Sequence, residues 1–294
     1  MEGGVGTRAS IDENPQNPQT PRAGLSQRRI TEHVLWIAGQ AGYRAALIDA
    51  GDGTVTPWPR FAQTVRAAAR GLRRRGLTQD DTVGVLVQDA ARYAVALHTI
   101  REAGATPAPI SLSQGAADSA AAADIAAQLK ACGARLMITV DALAELASQA
   151  ADRSWVRQVF AFGETAEATG ATPFSSLLEG ARHGQPAANG ADVGSLHRAE
   201  LIPTDVLAQA DIDYSGGLSA RLTSRDVVIA GPPGGAGAAY TTLLDFALMS
   251  GSTVVAASAQ DIAHAVRRYR GTAAIVSRGA AVPVIPAARV FCID

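Results

Sequence analysis

The sequence predicts an α/β protein with mostly parallel sheets flanked by helices. Two observations carry that expectation. Segments with one apolar helical face alternate with short, uninterrupted apolar runs such as TVGVLV at 82–87, the pattern of strands buried on both faces. The alternation also leaves a helix between successive strands, as right-handed parallel crossovers require.

Taken in order, residues 1–27 are rich in Gly, Pro, Asn and Gln and nearly free of large apolar side chains. Too little surface could be buried there to offset ordering entropy, so a disordered tail is expected. A first α/β subdomain is expected over 28–181. Ile30, Val34 and Ile37 at helical spacing predict a helix over 28–39, and the run Ala45–Asp49 predicts a buried strand closed by the turn residues GDG. The clearest helix covers 59–75. Phe61, Val65, Ala68, Ala69 and Leu72 share one face, and Gly76 supplies a left-handed stop. Arg66, Arg70, Arg73 and Arg74 lie largely elsewhere and read as a solvated face. The strand 82–87 follows, then a helix over 90–102 ended at Gly104 and an extended segment over 106–110. A helix over 116–132 stopped by Gly133, a strand over 135–140, a helix over 141–150 and a strand over 158–162 complete this part.

Residues 182–198 contain Gly, Pro and Asn with little apolar material and read as a linker. An incomplete second α/β subdomain is expected over 199–294. Its apolar runs lie at 206–214, 226–230, 253–257, 273–276 and 288–293, with helices over 240–249 and 261–269. The terminal run Val290-Phe291-Cys292-Ile293 is expected to be an edge strand unpaired within the chain, and the surface around residues 240–294 to be buried against a second chain.

Composition narrows the function classes. A net charge of −1 predicts no attraction to nucleic acid or to an anionic membrane surface. No run approaches the ~18 apolar residues needed to cross a bilayer, and the first thirty residues lack a secretory apolar core, so a cytoplasmic protein is expected. Cys132 and Cys292 have no partner spacing, which supports neither a disulfide scaffold nor a zinc site. His33, His98, His183, His197 and His264 show no pair at metal-ligand spacing, so no metal site is expected. His98 and His264 fall on predicted helices as surface or satisfied core residues. Trp36, Trp58 and Trp155 read as core or interface anchors. Ser215 does not fit a G-x-S-x-G nucleophile turn, and the glycine-rich GPPGGAGA at 231–238 lacks the Lys-Ser/Thr ending of a phosphate loop.

Three segments carry a family resemblance. TVTPWPRFAQTVRAAARGLRRRGLTQDDTVGVLVQDAARYAVALHTIREAGATPAPIS, KACGARLMITVDALAELA and DFALMSGSTVVAASAQDIAHAVRRYRGTAAIVSR follow one another in the chain. They resemble, in the same order, scaffold segments of the amino-terminal catalytic domain of AMP-dependent acyl-CoA ligases, the adenylate-forming enzymes. The resemblance runs from about Tyr43 to Asp294. It implies the front part of that fold and a chemistry in which ATP activates a carboxylate as an acyl-adenylate, which then passes to a thiol such as CoA.

The elements that would perform this chemistry depart from the family pattern. The family's triphosphate loop, (Y/T)-(S/T)-S-G-T-T-G-x-P-K-G, corresponds to Ile212–Thr223, where Tyr214, Ser215 and Gly216 remain as the nucleotide-binding remnant. The Thr-Thr pair, the Pro and the Lys are missing. The histidine of the family's P-x-x-H-x-x-G segment is replaced by Gly235, and the helix between the two segments is lacking. The sequence also ends before the family's adenine, Mg²⁺ and ribose motifs and before its catalytic Lys. The resemblance therefore implies no catalytic residue and no cofactor, with ATP or AMP and Mg²⁺ only where family activity persists. Two functions remain open. One is a non-catalytic binding or assembly partner, paired with a second copy or a ligase-like protein. The other is a divergent or split acid–thiol ligase completed by another chain.

Overall fold

The computed structural model describes residues 21–112, 118–164, 166–179, 213–214, 222–234, 237–277 and 289–293. Helix α1 (Pro21–Gln40) is followed by strands β1 (Ala45–Asp49) and β2 (Val55–Pro57). Helix α2 (Trp58–Arg74) opens on Trp58-Pro59, where a missing proline N–H leaves no intrahelical bond unmade. Then come β3 (Thr82–Leu86), α3 (Ala90–Ala103), β4 (Thr106–Pro109), α4 (Asp118–Ala131) and β5 (Ala134–Val140). Asp89 caps α3, its carboxylate accepting the Arg92 N–H at 2.7 Å, and Gly104 ends it with φ 97°. A 3₁₀ turn (Asp141–Leu143) enters α5 (Ala144–Ala151). After β6 (Gln158–Phe162) and β7 (Thr172–Pro173), a second such turn covers Phe174–Leu177.

Strands β3 to β7 form a parallel sheet in the order β4-β3-β5-β6-β7. The strands predicted at 82–87 and 135–140 lie side by side, with Val85 opposite Ile138. The second sheet adds β8 (Asp213–Tyr214), β9 (Val227–Ala230), β10 (Thr253–Ala256), β11 (Ala273–Ser277) and β12 (Arg289–Ile293), in the order β2-β1-β10-β9-β11-β12-β8. Its inner strands run parallel and its two edges antiparallel. Helix α6 (Gly237–Met249) connects β9 to β10, and α7 (Ile262–Tyr269) connects β10 to β11. Three successive strands of each sheet share one winding, with the second on one side of the first and the third on the other, giving β4-β3-β5 and β10-β9-β11.

Burial divides the described residues into layers. The largest apolar cluster lies between the sheets and includes Trp58, Phe61 and Leu72 of α2, Leu97 and Ile100 of α3, and Leu243 and Leu244 of α6. A second lies outside the first sheet under α4 and α5, and a third outside the second sheet under α7. Helices, sheet, helices, sheet and helix thus alternate. Each large side chain buried in the middle layer contributes about 1.5–3 kcal/mol.

Three expectations change. Helix α1 starts at Pro21, so residues 21–27 are helical here and not part of a tail; residues 1–20 lie outside those described. Proline is well suited to a first helical position because its fixed φ is already helical. Sheet membership also ignores the linear division of the chain. Strand β1 pairs with β10, Leu47 opposite Val254, so an early strand completes the later sheet. The linker 182–198 lies outside the described residues. Finally, the terminal run is not an unpaired edge. β12 pairs with β11 from Ala273↔Arg289 to Ser277↔Ile293, and β8 covers its other side at Phe291↔Tyr214 and Cys292↔Asp213. An uncovered ladder would leave its N–H and C=O groups without sheet partners, and the chain supplies β8 to meet some of them.

Candidate functional site

In doubly wound sheets the crevice for a ligand opens beyond the carboxyl ends of the strands, where the strand order reverses. Here those points lie past β3 and past β9. The helices that follow these two strands, α3 and α6, pack against each other between the sheets. Their amino-terminal turns meet at one place.

Tyr93 of α3 and Tyr240 of α6 cross edge to face with ring centroids 5.5 Å apart. The Tyr240 hydroxyl donates to the Gly231 carbonyl at 2.7 Å, fixing the Gly231-Pro232-Pro233-Gly234 turn that leaves β9. The Tyr93 hydroxyl lies 2.7 Å from Thr241 Oγ1, and Thr241 gives its own proton to the Gly237 carbonyl at 2.6 Å. Tyr93 is therefore the donor in that pair. Burial pushes Tyr93 up to about 12, and burial followed by the neighbouring Tyr93 and Asp89 raises Tyr240 well above the ordinary phenol value. Both stay protonated donors. Gly237 is required by close approach: a Cβ there would lie 2.6 Å from Pro109 Cβ at the end of β4.

On the rim, Arg92 reaches Asp89 at 3.1 Å and Asp49, the last residue of β1, at 3.7 Å. Burial raises the Asp89 carboxyl, with the Arg92 backbone N–H and guanidinium acting in the opposite direction. Deeper along the same two helices the seam becomes ionic. Arg101 Nη1 contacts both carboxylate oxygens of Asp245, at 2.7 and 2.9 Å, with the two residues each 3% exposed. His98 Nδ1 lies 2.9 Å from Thr31 Oγ1 of α1, and its Nε2 stands 3.6 Å from Asp245 Oδ1. Burial, and then Arg101, depress His98 well below the usual imidazole range, so the ring is neutral. Burial raises Asp245 while Arg101 pulls it down. The sequence Thr31–His98–Asp245 has the order of a nucleophile, base and acid. Yet Thr31 and His98 are fully buried and Asp245 is committed to Arg101, so the group locks helices together and admits no substrate.

The residues expected from sequence fall elsewhere. Tyr214 lies in β8, at the edge of the second sheet opposite Phe291. Ser215, Gly216 and Gly235 are outside the described residues. His98 is a core residue, bonded through Nδ1, and His264 is exposed. Trp58 is wholly buried, whereas Trp36 and Trp155 are 39% and 63% exposed. Among the described residues, no cluster of three or more His, Cys, Asp or Glu is arranged to hold a metal ion, and no helix is long and apolar enough to cross a membrane. Sequence reasoning missed Tyr93, Tyr240, Arg101 and Asp245. One signal was available: an acid in the apolar run TTLLDFALM and a base in ALHTIREA, charges that a buried helix face tolerates only as a pair.

Comparison with solved structures matches this architecture to ligases. A long-chain-fatty-acid–CoA ligase from Archaeoglobus fulgidus superposes with TM-score 0.61 and 15% identity, over 85% of this chain and 51% of that one. A benzoate CoA ligase from Burkholderia xenovorans gives TM-score 0.63 and 18% identity, over 90% and 55%. MbtA from Mycobacterium smegmatis gives 0.61 and 20%, over 89% and 52%. The chain thus spans about half the length of these structures. No curated protein matches it. The model of the AMP-binding enzyme family matches residues 35–192, more than half of the chain. With the fold of those ligases and that match, the chain belongs to the AMP-binding enzyme family.

Proposed function

We propose that this chain is a non-catalytic member of the family that acts as a binding or assembly partner. The observation that carries the reading is Ile212–Thr223. Where the family's phosphate loop needs Thr-Thr, Pro and Lys, this chain has Gly217-Leu218-Ser219-Ala220-Arg221. Fewer backbone N–H groups and no Lys would face a triphosphate whose charge must be matched by donors. The geometry of the seam supports the same reading. The hydroxyls of Tyr93, Tyr240 and Thr241 are bound to each other and to main-chain carbonyls, which leaves them committed to structure. On this reading ATP, AMP and Mg²⁺ are not required. The partner is a second copy or a ligase-like protein, docking on the surface around residues 240–294.

One observation favours the second reading, a divergent ligase completed by another chain. Tyr214-Ser215-Gly216 persists, and Arg221 keeps a cation in the loop segment. Carboxylate-dependent exchange of pyrophosphate into ATP separates the two. The isolated chain is expected to stay at background with every carboxylic acid tried. Exchange clearly above background would end the non-catalytic reading, and mutation of Tyr214, Ser215 and Gly216 would then be the next step.

A further inference from the structure

A groove apart from the α3–α6 seam lies between the start of α2, the carboxyl end of β6 and the 3₁₀ turn Phe174–Leu177. Two lobes of about 310 and 480 Å³ share Arg60, Thr64, Ser175 and Leu178. Together they have the size of a small-molecule site. The smaller lobe is the more informative. Phe162 and Phe174 line it as a stacked pair, with centroids 4.0 Å apart and planes 23° apart. Thr56, Thr64 and Ser175 also line it, and none of these three hydroxyls bonds to another described residue. Arg60 is the one charged side chain lining this lobe among the described residues. Its Nη1 donates to Gln63 at 3.1 Å, and no described carboxylate pairs with it. Glu179 lines only the larger lobe.

We propose that this groove binds a small aromatic monoanion, with its ring beside Phe162 and Phe174 and its charged head on Arg60. The chemistry of each wall points the same way. A flat apolar body is matched by stacked rings. An anionic head is matched by a planar guanidinium with donors to spare, reinforced by the Thr56 and Thr64 hydroxyls. Glu179 at the far lobe repels a second negative charge, so dianions are disfavoured.

The test uses the full chain and benzenesulfonate, whose head cannot be activated as a carboxylate, with neutral benzenesulfonamide as control. Methyl NMR follows Val95 and Leu178, which line the smaller lobe, and Leu243, which is buried beside α3. The expected result is a saturable shift of Val95 and Leu178 with the sulfonate, little response to the sulfonamide, and affinity at least about tenfold weaker in Arg60→Gln. Arg60 is exposed on the helix surface, so this substitution leaves the fold in place, and Arg60→Lys should retain most of the binding. The proposal is overturned by any of three outcomes. These are no saturable shift up to about 10 mM, an equal response to the neutral analogue or in Arg60→Gln, or shifts centred on Leu243.

Discussion

Arg101 of α3 and Asp245 of α6 face each other across the layer between the two sheets, one guanidinium nitrogen reaching both carboxylate oxygens at 2.7 and 2.9 Å. Helix α3 follows β3 of one sheet and α6 follows β9 of the other, so this ion pair ties the two halves of the fold. Removing one partner leaves the other charge buried. Asp245→Ala is expected to destabilise by about 3–5 kcal/mol. The double variant Arg101→Leu/Asp245→Leu should recover much of that loss, because an apolar pair needs no desolvated charge. Denaturant unfolding of the three proteins checks it. A double variant as unstable as Asp245→Ala would show that the loss comes from packing and not from an orphaned charge.

His98 gives the seam a pH dependence. Its imidazole titrates well below the usual value in the folded state and near 6.5 when unfolded. The unfolded chain therefore binds more protons between those two values. Stability is full above about pH 6.5 and falls as pH drops below it, by at most about 1.4 kcal/mol per pH unit. Asp245, raised by burial and facing His98, acts in the opposite sense nearer the carboxylate range. The informative window is thus pH 5 to 7. His98→Asn is expected to flatten the slope there, and an unchanged slope would assign the effect to other groups.

Gly71 marks where the 3₁₀ turn Phe174–Leu177 closes on α2. A Cβ at this position would overlap the Leu177 carbonyl and its Cα, which are backbone atoms that cannot swing aside. Arg74 adds to this contact by donating to the Glu179 carbonyl at 2.6 Å. Gly71→Ala should therefore destabilise by about 1–3 kcal/mol, although alanine is intrinsically the better helix former. A thermal midpoint at or above that of the unchanged chain would contradict this packing.

Much of the fold was legible because it depends on local periodicity. The apolar runs at 82–87 and 135–140 became adjacent parallel strands, and Gly76 and Gly104 terminate α2 and α3 with positive φ. What stayed hidden was long-range. No local pattern says that Ala45–Asp49 will pair with a strand some two hundred residues later, since an apolar run fits either sheet equally well. The same holds for the site. Nothing in the local sequence marks Tyr93 or Tyr240, and only the packing of α3 on α6 brings their hydroxyls to Thr241 and Gly231. The arginines of α2 were read as a solvated face. All four are exposed, and Arg73 and Arg74 also donate to the carbonyls of Glu102 and Glu179, contacts that their spacing could not reveal.

The last strand offers a test of the second sheet. Ending the chain at Ala288 deletes β12, which lies between β11 and β8. Strand β11 would lose its parallel partner from Ala273 to Ser277, and β8 would lose both paired positions. Val290 would also be withdrawn from the cluster that packs α7 on the sheet. Losing a ladder and part of an apolar layer should cost about 3 kcal/mol or more. The newly open edge of β11 would also invite pairing between molecules. Truncation is therefore expected to lower the thermal midpoint and to raise the apparent mass in sedimentation at micromolar concentration. An equally stable truncated chain with unchanged sedimentation would mean that β12 contributes nothing to the sheet. A full-length chain that sediments as a dimer and becomes a stable monomer on truncation would instead place the partner surface on β12 itself.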